Sequence, residues 1–133
     1  MEVKSEFSVA KWDEGKCGEP AYGMQITRAS VVYEVSGMIN GELDVEYLMH
    51  YTNDSSDDQH NSVASYIGYM IFSGSIDGKA GAFALEDRGE YSPAGPVSKL
   101  TIKPDTGTDE LTGITGAGRY YAEGDQLCRC QEL

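Results

Sequence analysis

The feature that most constrains this chain is the regular spacing of its turn signals. Clusters of Gly, Pro, Asn and Asp recur about every eight to twelve residues and separate short segments rich in Val, Ile, Tyr and Phe. No long segment keeps a 3.6-residue apolar period, so we expect little helix. The pattern predicts an all-β sandwich or barrel, with strands near residues 3–12, 26–37, 42–52, 63–76, 80–91, 97–103 and 117–122, and a candidate eighth strand near 111–115.

The length of the chain fits one domain. With 133 residues, it falls in the usual range for a single domain. A chain of this length can bury about two-thirds of its unfolded surface and needs no metal ion or disulfide bond to stabilise its core. We therefore expect one domain over residues 1–133. The tail from about residue 123 shows no strand pattern, and we expect it to be loose.

The charge of the chain argues against several classes of partner. Ten Lys and Arg residues stand against 22 Asp and Glu, which gives a formal net charge of −12. Nucleic-acid backbones and anionic membranes attract clustered cations, so we expect neither as a partner. The longest mainly apolar stretch, residues 66–72, is far shorter than the roughly 20 residues of a membrane-spanning helix. The first residues also lack the apolar core of a signal peptide, and we expect a soluble, cytoplasmic protein.

Two similar segments predict two β-hairpins. Ser36-Gly-Met-Ile-Asn-Gly41 and Ser73-Gly-Ser-Ile-Asp-Gly78 share the pattern Ser-Gly-x-Ile-Asx-Gly. Asn-Gly and Asp-Gly favour tight hairpin turns because both residues tolerate a positive φ. The hairpin tips are therefore predicted at Asn40-Gly41 and Asp77-Gly78.

The strand register of the first hairpin follows from its apolar face. A three-residue turn over residues 39–41, with Gly41 at positive φ, pairs Val35 with Val45 and Tyr33 with Tyr47. This register makes one face of the hairpin continuously apolar, whereas a two-residue turn mixes polar and apolar side chains on both faces.

The opposite face of that hairpin carries the candidate catalytic residues Arg28, Glu46 and His50. A carboxylate beside a cation and a histidine can move protons or hold the polar group of a ligand. In the predicted register Glu34 lies directly across from Glu46. The alternative interpretation is a solvated outer face of a half-buried antiparallel hairpin.

A set of aromatic and sulfur-containing side chains forms the candidate ligand-binding site. A barrel of about eight strands either fills its interior with side chains or leaves room for one small ligand. The alternative for this set is ordinary core packing. The aromatic residues of the set are Tyr33, Tyr47, Tyr51, Tyr69 and Phe83, with Met49 beside them. The candidate ligand-binding residues are Tyr33, Tyr47, Met49, Tyr69 and Phe83.

Neither a metal nor a cofactor is expected. Three cysteines, Cys17, Cys128 and Cys130, are an odd count that predicts free thiols, and His50 and His60 do not complete a tetrahedral ligand set with them. The acidic loop near residues 53–61 lacks the glycine and the final glutamate of a calcium loop. The Gly-rich stretch 106–118 has no phosphate-binding motif.

Several short motifs follow one another along most of the chain. They are Trp12-Asp-Glu14, Thr27-Arg-Ala-Ser30, Val45-Glu-Tyr-Leu-Met49, Ser73-Gly-Ser-Ile-Asp-Gly-Lys-Ala-Gly-Ala-Phe83, Leu100-Thr-Ile102, Gly107-Thr108 and Leu111-Thr-Gly-Ile-Thr-Gly-Ala-Gly118. Taken in this order, from about residue 6 to residue 122, they resemble the bacterial domain-of-unknown-function family 3224. The resemblance implies an eight-stranded, mainly antiparallel β-barrel like that of allene oxide cyclase and dirigent proteins.

The barrel resemblance also suggests a function. Allene oxide cyclase and dirigent proteins bind hydrophobic substrates inside the barrel and steer cyclisation or coupling by shape. We therefore expect this chain to bind a small, largely apolar molecule in its interior. Two alternatives stay open: a structural, self-associating module with a filled barrel, and a cyclase or isomerase acting on a lipophilic substrate.

The segment from Tyr66 to Phe72 is apolar on both faces of its predicted strand. One face of a barrel wall points inward, so the other must meet solvent, another strand or a second subunit. We expect a homo-oligomer, most simply a homodimer.

Overall fold

A computed structural model describes residues 2–19, 22–51, 63–93, 95–123 and 126–132. Eight strands make up most of it, and a short 3₁₀-helix, Asp109–Leu111, lies between the sixth and seventh strands. The strands are β1 Glu2–Lys16, β2 Gln25–Gly37, β3 Ile39–Tyr51, β4 Ala64–Ile76, β5 Lys79–Ser92, β6 Gly95–Ile102, β7 Ala117–Glu123 and β8 Gln126–Glu132.

The strands form one antiparallel sheet that curls into a barrel. Each strand pairs with its neighbours in chain order, and β8 returns to pair with β1. Consecutive antiparallel strands need only short connections, which agrees with the turn signals along the sequence. The prediction of an all-β, antiparallel barrel is confirmed, and the sandwich alternative is excluded.

The eighth strand is not where the sequence predicted it. Residues 111–115 do not form a strand, and β8 instead occupies residues 126–132, within the tail that we expected to be loose. Its backbone pairs with β1 on one side and β7 on the other. Main-chain pairing of this kind does not require alternating apolar side chains. The pattern of apolar residues in the sequence therefore did not reveal β8.

The register of the first hairpin also differs from the prediction. Val31 pairs with Val45 and Tyr33 with Leu43, and the last pair is Val35 with Gly41, so the turn is centred on Met38 rather than on residues 39–41. The predicted pairing was therefore wrong, but the difference is an even number of residues. Each side chain consequently keeps its predicted face of the sheet.

The glycine predicted for the turn, Gly41, lies in a strand instead. It lies within β3 and pairs with Gly74 of β4, and both glycines have positive φ, 150° and 154°. A Cβ atom on Gly41 would lie 2.8 Å from the Cα atom of Gly74. Gly41 therefore permits a close approach of two strands instead of forming a turn.

The second hairpin agrees with its prediction. Asp77 and Gly78 form its tip with φ values of 50° and 82°, and Ile76 pairs with Lys79. Both positive values are typical of a type I′ turn. The backbone N–H of Asp77 also donates to the carbonyl of Met38, 2.8 Å away, which joins the two hairpin turns.

The core lies inside the barrel, where inward-facing side chains of β2 to β6 pack together. Its apolar end is formed by large side chains that are almost completely buried, and its other end contains polar groups. The largest fully buried side chains are Tyr33, Phe72, Ile39, Leu43, Met70, Leu85, Leu100, Val31 and Asp87.

Candidate functional site in the polar half of the barrel

A tyrosine, a glycine and an aspartate on three successive strands form the first polar layer of the interior. Tyr47 of β3 pairs with Gly68 of β4, which pairs with Asp87 of β5. A Cβ atom on Gly68 would lie 2.6 Å from Cδ1 of Tyr47, so the tyrosine ring crosses the sheet over the glycine. The Tyr47 hydroxyl donates to Oδ2 of Asp87 at 2.5 Å, and Asp87 is fully buried.

The same arrangement recurs at the next layer, one strand further round the barrel. Tyr66 of β4 pairs with Gly89 of β5, which pairs with Ser98 of β6. A Cβ atom on Gly89 would lie 2.8 Å from the Tyr66 hydroxyl, which hydrogen-bonds to Oγ of Ser98. The rings of Tyr47 and Tyr66 meet edge to face, with centroids 5.2 Å apart.

Glu14 forms a third polar group at the end of the barrel where β3 ends. Its Oε2 accepts hydrogen bonds from Oγ1 of Thr27 at 2.5 Å and from the Tyr51 hydroxyl at 2.7 Å. Its Oε1 accepts one from Nε1 of Trp12 at 3.0 Å. Burial, and then the hydrogen bond to Glu14, raise the pKa of Tyr51 above its ordinary value. Tyr51 therefore stays a neutral donor at physiological pH.

Gln25 contributes an unused acceptor at the same end of the barrel. It pairs with Tyr51, and its Nε2 donates to the carbonyls of Gly18 at 3.1 Å and of Ile26 at 2.8 Å. The Oε1 of Gln25 is buried and has no hydrogen-bond partner among the residues that the structure describes. A buried acceptor of this kind is satisfied by a donor from water or from a ligand.

The inward side of β1 differs from that of the neighbouring strands. Val9 pairs with Tyr33 and Trp12 with Val31, and a bulge between Val9 and Lys11 keeps both on the inward face. Val9 and Trp12 each remain 45% exposed, whereas their partners Tyr33 and Val31 are 1% and 2% exposed. The described side chains therefore fill the interior against β2 and leave it open along β1.

Most of the predicted ligand-binding side chains do face the interior. Tyr33, Tyr47, Met49 and Phe83 are inward and buried. The expectation that Tyr69 lines the interior was wrong, because it is 58% exposed on the outer face of β4. Both faces of β4 are apolar, so the sequence pattern could not tell which of them points inward.

The predicted catalytic residues lie outside the barrel and do not form one site. Arg28 and Glu46 make an exposed ion pair, 3.4 Å from Nη2 to Oε1, and Ser30 donates to Glu46 at 2.6 Å. That hydrogen bond, followed by the contact with Arg28, lowers the pKa of Glu46. Glu46 pairs with Ser30, and Glu34 pairs with Glu42, so the expected pairing of the two glutamates was wrong.

His50 lies apart from that ion pair, in a groove on the outer face of β2 to β5. No hydrogen bond or ion pair joins it to Arg28 or Glu46 in the described residues. Arg28 and Glu46 are 66% and 54% exposed on the outer face of the hairpin.

The sequence pattern did not point to Glu14, Asp87 or Tyr66 as members of this site, whereas Tyr51 belonged to the predicted aromatic set. Carboxylates in short polar stretches are usually solvated, so Glu14 and Asp87 carried no separate signal. One usable signal was the presence of Gly68 and Gly89 inside strand segments. A glycine inside a strand often marks the close approach of another group, here a tyrosine ring.

Other features of the described residues add no further site. They contain no group of three or more His, Cys, Asp or Glu residues arranged to hold a metal ion. Cys17 is exposed and has a free thiol, whereas the side chains of Cys128 and Cys130 and the predicted loop near 53–61 lie outside the described residues. In the same part of the chain no helix is long and apolar enough to cross a bilayer.

The fold and the interior define a class of protein: a small antiparallel β-barrel with one apolar and one polar half. The model of a family described as "Protein of unknown function (DUF3224)" matches residues 3–131. The chain belongs to this family.

A solved structure supports the same fold. The chain is similar to a crystal structure of a DUF3224-family protein of unknown function from Shewanella oneidensis MR-1. The two are 21% identical, the alignment covers 98% of this chain and 94% of the other, and the TM-score is 0.75. No curated protein matches the chain.

Proposed function

We propose that this protein binds a small, largely apolar molecule inside its barrel, in the space along β1. The observation that carries the proposal is the partial exposure of the inward-facing side chains of Val9 and Trp12. Inward apolar surface that the described protein atoms leave uncovered is a favourable place for an apolar ligand.

The polar end of the interior sets the orientation of the ligand. Glu14 carries a carboxylate that accepts hydrogen bonds, and Gln25 offers a buried acceptor, Oε1, without a partner in the described residues. Both groups favour a ligand whose polar end is a hydrogen-bond donor, such as a hydroxyl group. The Glu14 carboxylate and the net charge of −12 disfavour an anion. The expected ligand is therefore neutral, with an apolar body against Trp12.

The kinship with the allene oxide cyclase barrel that the sequence resemblance implies belongs to this proposal. It is supported by the eight antiparallel strands in chain order and by the apolar inward faces. The cyclase or isomerase alternative stays a prediction, because it needs a reacting substrate as well as a binding site.

The second candidate function is a structural module with a filled barrel. The specific observation in its favour is the nearly complete burial of the interior side chains of β2 to β5, such as Tyr33, Phe72 and Leu85. On this alternative the space along β1 holds only water, and no small molecule stabilises the fold.

A thermal-shift screen of neutral apolar alcohols, with matched alkanes and carboxylic acids, tests the proposal. A ligand present at 100 times its dissociation constant adds about 2.7 kcal/mol to the free energy of unfolding, which the melting midpoint reports clearly. We expect alcohols to give the largest increase. The variant Glu14→Gln should respond less than the wild type, because it loses the charged acceptor. The matched control Glu34→Gln, on the outer face, should respond as the wild type does.

Two results would overturn the proposal. If no compound raises the melting midpoint, the structural module takes its place. If alcohols stabilise the wild type and Glu14→Gln equally, the ligand does not bind at the polar end of the barrel.

A further inference from the structure

A row of exposed apolar side chains crosses the outer face of the barrel. Ile67, Tyr69 and Ile71 alternate along β4 and are 37%, 58% and 61% exposed. Leu48 of β3 pairs with Ile67 and is 53% exposed, and Ile26 of β2 extends the row. We call these five residues the outer band. Single exposed apolar residues are common on proteins, but a contiguous row of this size marks a contact surface.

The outer band continues into a groove with a volume of about 620 Å³. Ile26, Leu48 and Ile67 form its apolar wall, and His50 and Arg88 add polar groups. The opposite end of the band, at Tyr69 and Ile71, is not part of the groove lining. A partner that covers the whole band must therefore span more than the groove.

The charges around the band favour a second copy of this chain as the partner. Two molecules that each carry a net charge of −12 repel one another over most of their surfaces. Around the band, however, three cations lie among four carboxylates, so the local charge is nearly balanced. These charges pair with residues of the band, contact it or line the groove: Arg28, Arg88, Lys103, Asp44, Glu46, Glu86 and Glu90.

Those charges form ion pairs on both sides of the band. Arg28 lies 3.4 Å from Glu46 on the β3 side, and Glu86 lies 3.7 Å from Arg88 and 3.9 Å from Lys103 on the β5 side. The ammonium group of Lys103 also lies 6.0 Å from the ring centroid of Tyr69. A surface with both signs at its rim and apolar groups at its centre is complementary to itself.

We propose that the outer band is the interface of a symmetric homodimer. A two-fold contact brings the same surface of each copy together. A band with an apolar centre and nearly equal numbers of positive and negative charges at its edges can therefore pack against its own copy. This inference is independent of the proposed ligand, because the band lies on the outer face and the ligand space on the inner one.

Analytical ultracentrifugation of the wild type and two matched variants tests this interface. Ile71→Glu places a charge in the band, and Val97→Glu places one on β6, where Val97 is 64% exposed and outside the band. Both positions are exposed strand residues, so neither variant should unfold, and the melting midpoint of each checks this. We expect the wild type and Val97→Glu to sediment at twice the 14.4 kDa chain mass and Ile71→Glu at that mass.

Three outcomes would overturn the interface. One is a wild type that stays monomeric up to about 100 µM, well above the dissociation constants of specific interfaces; the groove is then left to a small molecule. The second is a folded Ile71→Glu variant that remains dimeric. The third is the same loss of dimer in Val97→Glu, which would show that added negative charge alone separates the subunits.

Discussion

At the scale of single residues, the polar half of the interior depends on pairs in which a tyrosine lies over a glycine. Tyr47 crosses Gly68 to reach Asp87, and Tyr66 crosses Gly89 to reach Ser98. Without a Cβ atom on the glycine, the ring can lie flat across the intervening strand. The hydroxyl group therefore bonds two strands away from its own backbone.

Gly68→Ala should destabilise the protein by about 1–3 kcal/mol, the usual cost of overpacking a core. The new Cβ atom would lie 2.6 Å from Cδ1 of Tyr47, which must then move away from Asp87. The control is Gly15→Ala in β1, where nothing lies within 4 Å and the change should stay within about 0.5 kcal/mol. Urea denaturation measures both, and equal effects would contradict the packing described.

Tyr51 should make stability depend on alkaline pH. Its pKa in the folded protein is raised, so the stabilisation is complete below the unfolded pKa of about 10 and is lost as pH rises beyond it. The stability difference between the wild type and Tyr51→Phe should therefore shrink from pH 9 to pH 11. The change should be well below the limit of about 1.4 kcal/mol per pH unit, since the side chain is partly exposed and screened. A constant difference would contradict this.

From the sequence alone, the side of the sheet on which each residue lies was predicted better than the residues that it contacts. The period of two placed Tyr33, Tyr47, Met49 and Phe83 inside correctly, because alternation depends only on the backbone. Glu14 could not be recognised, because its role depends on Thr27 and Tyr51, which come from other strands. Contacts between strands distant in sequence leave no local pattern.

At the scale of strands, the sequence predicted most strand positions but not every pairing. Apolar alternation is unchanged by an even shift in register, so it could not distinguish Val31 opposite Val45 from Val35 opposite Val45. The close approach of Gly41 and Gly74, which places Gly41 inside β3 rather than in the turn, involves a third strand. The strand β8 was missed for a similar reason, since its partners β1 and β7 supply the pairing.

A disulfide test separates the two registers of the first hairpin. Ser30 pairs with Glu46 on the outer face, so the double variant Ser30→Cys with Glu46→Cys should form a disulfide under mild oxidation. Glu34→Cys with Glu46→Cys should not, because residue 34 lies four positions along β2, about 13 Å away. Peptide mapping by mass spectrometry identifies the link. A link from residue 34 to residue 46 would instead support the register predicted from the sequence.

At the scale of the whole molecule, the side chains that the structure describes fill the barrel on one side and leave it open on the other. The inward side chains of β2 to β5 pack tightly, while Val9 and Trp12 of β1 stay partly exposed. The polar end at Glu14 and the outer band lie on different faces, so ligand binding and self-association are separate properties. Membership of the DUF3224 family agrees with the barrel and leaves both properties to experiment.

The most direct test of the open interior uses Trp12, the one tryptophan of the chain. Acrylamide quenching of its fluorescence is measured without and with the neutral alcohol that most raises the melting midpoint. Trp12 should be quenched in the free protein, and the bound alcohol should shift its emission to shorter wavelength and protect it from quenching. An alcohol that stabilises the protein but leaves both the emission and the quenching of Trp12 unchanged would contradict a ligand site along β1.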